Sequence, residues 1–232
     1  DAMTEHALSA GIGKPKQYTT AYSAIKEEQF LNPITAEEKK TFRKKYNIPL
    51  DATVLITVAR LFHLKGHDYI IESAKVLSKR FPEAVWLFVG DGILSKSLKK
   101  RIGNLGLTEK IKFTGLLATS KIPLAIQSSD ILVHCSLREG LARSVPQAML
   151  CGKPAIAFDL DGSKEVINSN TGRLVKPQDI NDLIEKCSEL LTDNNLCKTL
   201  GANARESVKE KFAPKTMVDK IEKIYNKFME AN

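Results

Sequence analysis

From residue 53 onward, short runs of β-branched and apolar residues alternate with amphipathic stretches, and this rhythm leaves the chain few architectures to choose from. The runs are TVLITVA (53–59), AVWLFVG (84–90), KIKFTG (110–115), DILVHC (130–135), PAIAFD (154–159) and a brief TGRLV (171–175). Helical patterns lie between them at about 66–81, 93–105, 119–128, 143–151 and 162–168, and three more fill about 179–231. Strands that are apolar almost throughout have no face to offer water. They therefore predict a parallel sheet with helices on both sides, a doubly wound α/β domain. At 232 residues, 43% of them hydrophobic, the chain is long enough to bury one such core.

The first 50 residues stand outside this rhythm. They hold one possible helix end (Thr4 to Ser9), a glycine-punctuated turn (GIGKP), a strand candidate (QYTTAYS) and a charged helix starting near Thr35. Glu38, three residues on, completes a capping box for that helix. Residues 1–34 have too few large apolar side chains for a compact domain. They are expected to be the remnant of a preceding domain and its linker, with the sheet domain occupying 35–232.

The segment EGLARSVPQAM (139–149) follows the run Asp130 to His134 and precedes a helix that stops near Cys151-Gly152. A loop that joins a strand end to a helix N-terminus presents free backbone N–H groups and a positive dipole end, which suits an anionic ligand. Pro146 fits there because first-turn N–H groups have no intrahelical partner. Glu139 in the loop and Gln147 one turn into the helix point toward one crevice, although either residue alone is an ordinary surface side chain.

Ligands of open α/β sheets sit beyond the carboxyl ends of the strands, so the loop after the first strand, VARLFHLKG, faces the same crevice. Arg60 and Lys65 offer a forked guanidinium and a point charge that can clamp a diphosphate. With 35 Lys and Arg in the chain, a basic pair in a loop is also common by chance. Gly90-Asp91-Gly92 imitates the start of a dinucleotide fingerprint, but Ser95 stands where a third glycine would be, so a tight structural turn is the better reading. Gly115 and Leu116 can set backbone groups against the edge of a planar base. His63 and His67 share i,i+4 spacing, yet Lys65-Gly66 between them makes a poor helix interior, and neither they nor His134 argue for a metal.

A net charge of +8 suits an anionic partner without naming it. Aromatics amount to 6% and do not interleave with basic residues, which argues against nucleic acid. Cys135, Cys151, Cys187 and Cys197 lack the paired spacing of a zinc site and the density of a disulfide scaffold, so a reduced, cytoplasmic chain is expected. No apolar run approaches the roughly 20 residues of a membrane span. The stripe Met217, Val218, Ile221, Ile224, Tyr225, Phe228 is expected to be a packing face, with membrane or partner contact as the lesser reading.

Taken in order, VARLFHLKG, WLFVGDG, IKFTG, the run from Ser129 to Leu132, EGLARSVPQAMLCGKPAIAFD, DGSKEVI and TGRLV resemble the C-terminal half of glycosyltransferase family 4. These are the retaining group 1 glycosyltransferases of GT-B fold, and the resemblance covers about residues 17–232. It implies two facing Rossmann-like domains, with a nucleoside diphosphate sugar held mainly by the C-terminal one. By resemblance Arg60 and Lys65 hold the donor diphosphate, and the segment around Leu116 and Leu117 meets the base. Glu139 serves the sugar hydroxyls as the catalytic-site carboxylate. The backbone of Gly140, Leu141, Ala142 and Arg143 meets sugar and phosphate, and Gln147 takes the ribose position.

Two residues depart from the family pattern: Ala142 replaces a glycine, and Gln147 replaces the second glutamate of the motif. QYTTAYSAIKEEQF resembles only the strand and linker that close the N-terminal domain, which carries most of the acceptor site. The resulting expectation is the donor half of a retaining hexosyltransferase, with a UDP-sugar as donor and a saccharide or lipid-linked acceptor. No cofactor or metal is expected. The location is expected to be cytoplasmic, with peripheral contact at the inner membrane face. A nucleotide-sugar-binding module without turnover and a GT-B epimerase or phosphorylase are the competing readings, separable by acceptor-dependent product.

Overall fold

A computed structural model describes residues 2–229, apart from the Phe228 side chain. Its six strands are β1 (Thr53–Val58), β2 (Ala84–Val89), β3 (Ile111–Gly115), β4 (Ile131–His134), β5 (Ala155–Phe158) and β6 (Gly172–Val175). All pair in parallel, in the order β3-β2-β1-β4-β5-β6. The doubly wound Rossmann-like sheet expected from the sequence is the one found. Its order reverses between β1 and β4, so the crevice beyond the carboxyl ends of those two strands is the natural ligand position.

Ten helices accompany the sheet among the described residues: α1 (Ala2–Ser9), α2 (Glu28–Leu31), α3 (Ala36–Lys45), α4 (His67–Arg80), α5 (Ser95–Asn104), α6 (Ile122–Gln127), α7 (Ser144–Leu150), α8 (Ile180–Thr192), α9 (Asn194–Lys209) and α10 (Pro214–Met229). Alternate strand residues feed two apolar layers. Val54 and Ile56 of β1 join the side chains of α3, α6 and α7, whereas Leu55 joins those of α4, α5 and α8. Both layers exclude water, which is why the strands read as continuous apolar runs. Thr35 and Glu38 form the expected capping box, and Asp179 and Asp193 accept from the first-turn N–H groups of α8 and α9.

Arg43, in the charged helix α3, is almost fully buried. Its guanidinium donates to the carbonyls of Ser128, Leu50 and Ala52 at 2.8–3.0 Å and to Asp130 at 3.2 Å. Asp130 also accepts from Val54 N–H at 2.8 Å. One cation thus ties α3 to the amino ends of β1 and β4.

Three local expectations need correction. QYTTAYS forms no strand: its tyrosines are held by side-chain contacts instead, Tyr22 tilted against Phe212 and donating to Glu165, and Tyr18 donating to the Ile12 carbonyl. The stretch 162–168 is not an α-helix but a 3-10 helix over Asp161–Glu165, because Asp161 adopts φ +50° and Gly162 presses against the Gly140 carbonyl. The α10 stripe is largely uncovered. Val218, Ile221 and Tyr225 are exposed, since no described element lies over that face. Residues before 35 nonetheless pack on the sheet domain: Ile25 and Phe30 belong to its core, and Ile25 N–H donates to the Phe212 carbonyl at 2.9 Å.

Candidate functional site

The site is built where two loops meet at the reversal of strand order. The loop after β1 turns at Gly66, whose φ of +68° and closeness to Cys135 exclude any side chain; a Cβ there would lie 1.9 Å from the Cys135 carbonyl oxygen. That approach lets Leu64 O accept from Leu137 N–H at 2.8 Å and from the Ser136 hydroxyl at 3.0 Å. Lys65 is thereby delivered to the loop after β4, where its ammonium donates to Glu139 Oε1. Neither partner is fully buried, with side-chain exposures of 20% and 29%, so a ligand can reach both.

Neighbouring loops brace this pair. Gly90 and Gly92 lie so close to the carbonyls of Ala59 and Leu61 that a Cβ would sit 2.1 and 2.4 Å away. Leu61 N–H donates to Asp91 O at 3.0 Å, so the Gly-Asp-Gly turn is a backing for the Arg60 loop, as its reading as a structural turn anticipated. On the other side, Asp161 accepts from Glu139 N–H at 2.7 Å and Gly162 N–H donates to Gly140 O at 2.7 Å. Asp161 is a positioning residue that reading the sequence missed. Its signal was the Asp-Gly directly after the fifth apolar run.

After Gly140 the chain enters α7 without a side-chain cap, because Arg143 occupies the cap position. The N–H groups of Leu141, Ala142 and Arg143 make no hydrogen bond to the described residues. Successive free donors in such a turn form an anion-binding concavity. They border a cleft of about 330 Å³ that Arg60, Lys65, His134, Glu139, Ser144 and Gln147 also line. Arg60 is exposed, its guanidinium 5.6 Å from the Phe62 ring centroid. Arg143 and Gln147 reach into an adjoining cleft of about 390 Å³ beside Ile25, Thr119 and Ser120, and Arg143 donates to the Ala24 carbonyl at 3.1 Å.

The structure thus gathers Arg60, Lys65, Glu139, Leu141, Ala142, Arg143 and Gln147 around one space, with Gly140 in the same loop. It does not bring Leu116 and Leu117 into that lining. Leu116 is exposed at the end of β3, and Leu117 turns toward Phe42 and Leu124 at a separate apolar cavity against α3. Of the histidines, His63 is exposed and His67, at the start of α4, packs edge-on against Phe88. Only His134 enters the cleft, with its Nε2 3.8 Å from Glu139 Oε1.

Residues 38–207 match the family described as glycosyl transferases, group 1, and the chain belongs to that family. An uncharacterised glycosyltransferase of Methanocaldococcus jannaschii is 34% identical over 195 residues, covering 83% of this chain and 49% of its own length. The alpha-D-kanosaminyltransferase of Streptomyces kanamyceticus is 27% identical over 225 residues, or 97% of this chain and 58% of the relative. Among solved structures, Anabaena HepE in complex with UDP and glucose superposes with a TM-score of 0.84 at 23% identity, over 98% of this chain and 61% of that one. The chain therefore spans about half to three-fifths of the length of these relatives. No helix among the described residues is long and apolar enough to cross a membrane.

Proposed function

We propose that this chain is the donor-binding part of a retaining hexosyltransferase of family 4, taking a UDP-sugar, and that a second domain supplies the saccharide or lipid-linked acceptor. The observation that carries the reading is that the Lys65–Glu139 pair borders the same cleft as three consecutive residues whose N–H groups have no partner among the described residues. In this reading Arg60, Lys65 and the N–H groups of Leu141, Ala142 and Arg143 take the diphosphate, Glu139 the sugar hydroxyls, and Gln147 the ribose. The base lies beside the end of β3, near Leu116 and Leu117. Departure of the nucleoside diphosphate leaves negative charge on its terminal phosphate. Fixed cations and oriented N–H groups stabilise that charge without a metal.

The UDP and glucose held by the Anabaena protein and the aminosugar transferase from Streptomyces support a nucleotide-sugar donor. A thermal-shift series with UDP, UDP-glucose, UDP-N-acetylglucosamine, GDP and uridine tests the reading. The diphosphates are expected to raise Tm and uridine to raise it least, because a ligand bound only to the folded state stabilises according to its affinity. No shift with any diphosphate would sink the proposal. The chain alone is expected to release no acceptor-dependent product at enzymatic rates of about 1 per second, since transfer needs both substrates held together. Sugar altered without an acceptor would favour an epimerase instead.

A further inference from the structure

His134 ends β4 at the floor of the cleft, with its side chain 4% exposed. Neither ring nitrogen has a hydrogen-bond partner among the described residues. A buried polar group left unpaired is costly, and a site that retains one calls for a use. Its Nε2 faces the same Glu139 oxygen that Lys65 already occupies, 0.3 Å beyond the usual limit of a hydrogen bond. Burial pushes the imidazole pKa down to about 4, against the pull of Glu139, so at neutral pH the ring carries one N–H and no charge.

On the donor-binding reading above, Lys65 has two anionic claimants: Glu139 and the diphosphate of a bound donor. Drawing Lys65 to the diphosphate takes from Glu139 its one side-chain hydrogen-bond donor among the described residues. We propose that His134 is the replacement, a positioning residue whose Nε2–H takes up the Glu139 carboxylate when a diphosphate draws Lys65 away, and which thereby holds Glu139 in place for the donor sugar. The handover satisfies one orphaned ring nitrogen and one carboxylate oxygen in a single small rotation. A neutral donor performs it without competing for the phosphate charge, as a second cation would.

The test uses this chain, with UDP, uridine and UDP-glucose as probes, and His134→Leu and His134→Gln as variants. Calorimetry should find uridine affinity within about twofold of the parent in both variants. UDP and UDP-glucose affinity should each fall about tenfold in His134→Leu and recover most of that in His134→Gln, whose amide keeps an N–H. Long-range ¹H–¹⁵N spectra of the parent need no variant: the His134 Nε2 signal should move to a hydrogen-bonded position on adding UDP and stay in place with uridine. Unchanged UDP affinity in His134→Leu, equal losses in the two variants, or a ring signal indifferent to UDP overturns the proposal. Failure of the parent to bind UDP at all overturns the donor-site reading itself, a different result from UDP binding that leaves His134 unmoved.

Discussion

Lys65 and Glu139 are 74 positions apart in the chain, yet the ammonium of one donates to the carboxylate of the other across the gap between β1 and β4. Parallel strands with a reversal in their order force the two following loops to diverge and face each other, and Gly66 closes the remaining distance by pressing on Cys135. The pair ties the loop after β1 to the loop after β4. On the proposed donor-binding reading it supplies a cation for the phosphate and a carboxylate for the sugar hydroxyls.

Removing Lys65 should separate phosphate binding from nucleoside binding. Charge-assisted hydrogen bonds contribute roughly 1.5–3 kcal/mol each. Lys65→Ala and Arg60→Ala should therefore each weaken UDP by about tenfold or more and leave uridine nearly unaffected. Calorimetry with both ligands decides it. Equal losses for both would place these side chains at the base or in the fold.

Gly66→Ala should be far more damaging than a single methyl group suggests. The left-handed backbone costs an L-residue roughly 1–2 kcal/mol, and forcing the new Cβ off the Cys135 carbonyl adds about 1–3. Urea unfolding should register a loss of about 2–5 kcal/mol. Gly103→Ala, where a Cβ meets open space inside α5, should hold or gain stability and serves as the control.

Most of the sheet was readable from the chain because each strand is buried on both faces, and apolar runs such as AVWLFV report that environment locally. The loop EGLARSVPQAM was readable because strand end, glycine and helix start fall together. What escaped depends on distant partners. Nothing near Arg43 announces that an arginine among lysines and glutamates will be buried under carbonyls from residues 49–52 and 128. The turn of the Leu117 side chain toward α3 depends on Phe42, far back in the chain. The role of Asp161 depends on the Glu139 amide 22 residues before it, and the burial of Ile25 on Phe212 at the far end of the chain.

Acid should destabilise the domain well above the carboxylate range. His67 is buried without a partner for either ring nitrogen, and burial brings its pKa down to about 4, from an unfolded value near 6.5. Between those values the unfolded chain binds the extra proton. The stabilisation is therefore complete above about pH 6.5 and is lost as pH falls toward 4. At pH 5 the linkage amounts to about 2 kcal/mol relative to pH 7, and His134 adds to it in the same direction. Urea titrations at both values should reveal the loss. His67→Leu, which places an apolar side chain against Phe88, should remain folded at pH 7 and show a shallower acid dependence. An unchanged slope would assign the acid sensitivity to other groups.

Gln147 provides the sharpest check on where the ribose lies. Its side chain lines both adjoining clefts, one turn into α7, and on the proposed reading it meets the ribose there. A glutamate there would accept from both ribose hydroxyls with a charged group, whereas the amide accepts through its oxygen and must donate through its nitrogen. Hydrogen bonds to charged groups exceed neutral ones by about 1 kcal/mol, so Gln147→Glu should tighten UDP by about fivefold. Most of that gain should disappear with 2′-deoxy-UDP, which lacks one of the two donors. The added negative charge also faces the diphosphate, and salt screens that repulsion, so the comparison is best made at physiological ionic strength. If the variant is folded by circular dichroism and binds neither nucleotide more tightly than the parent, Gln147 does not read the ribose, and the nucleotide runs along the cleft in a different direction.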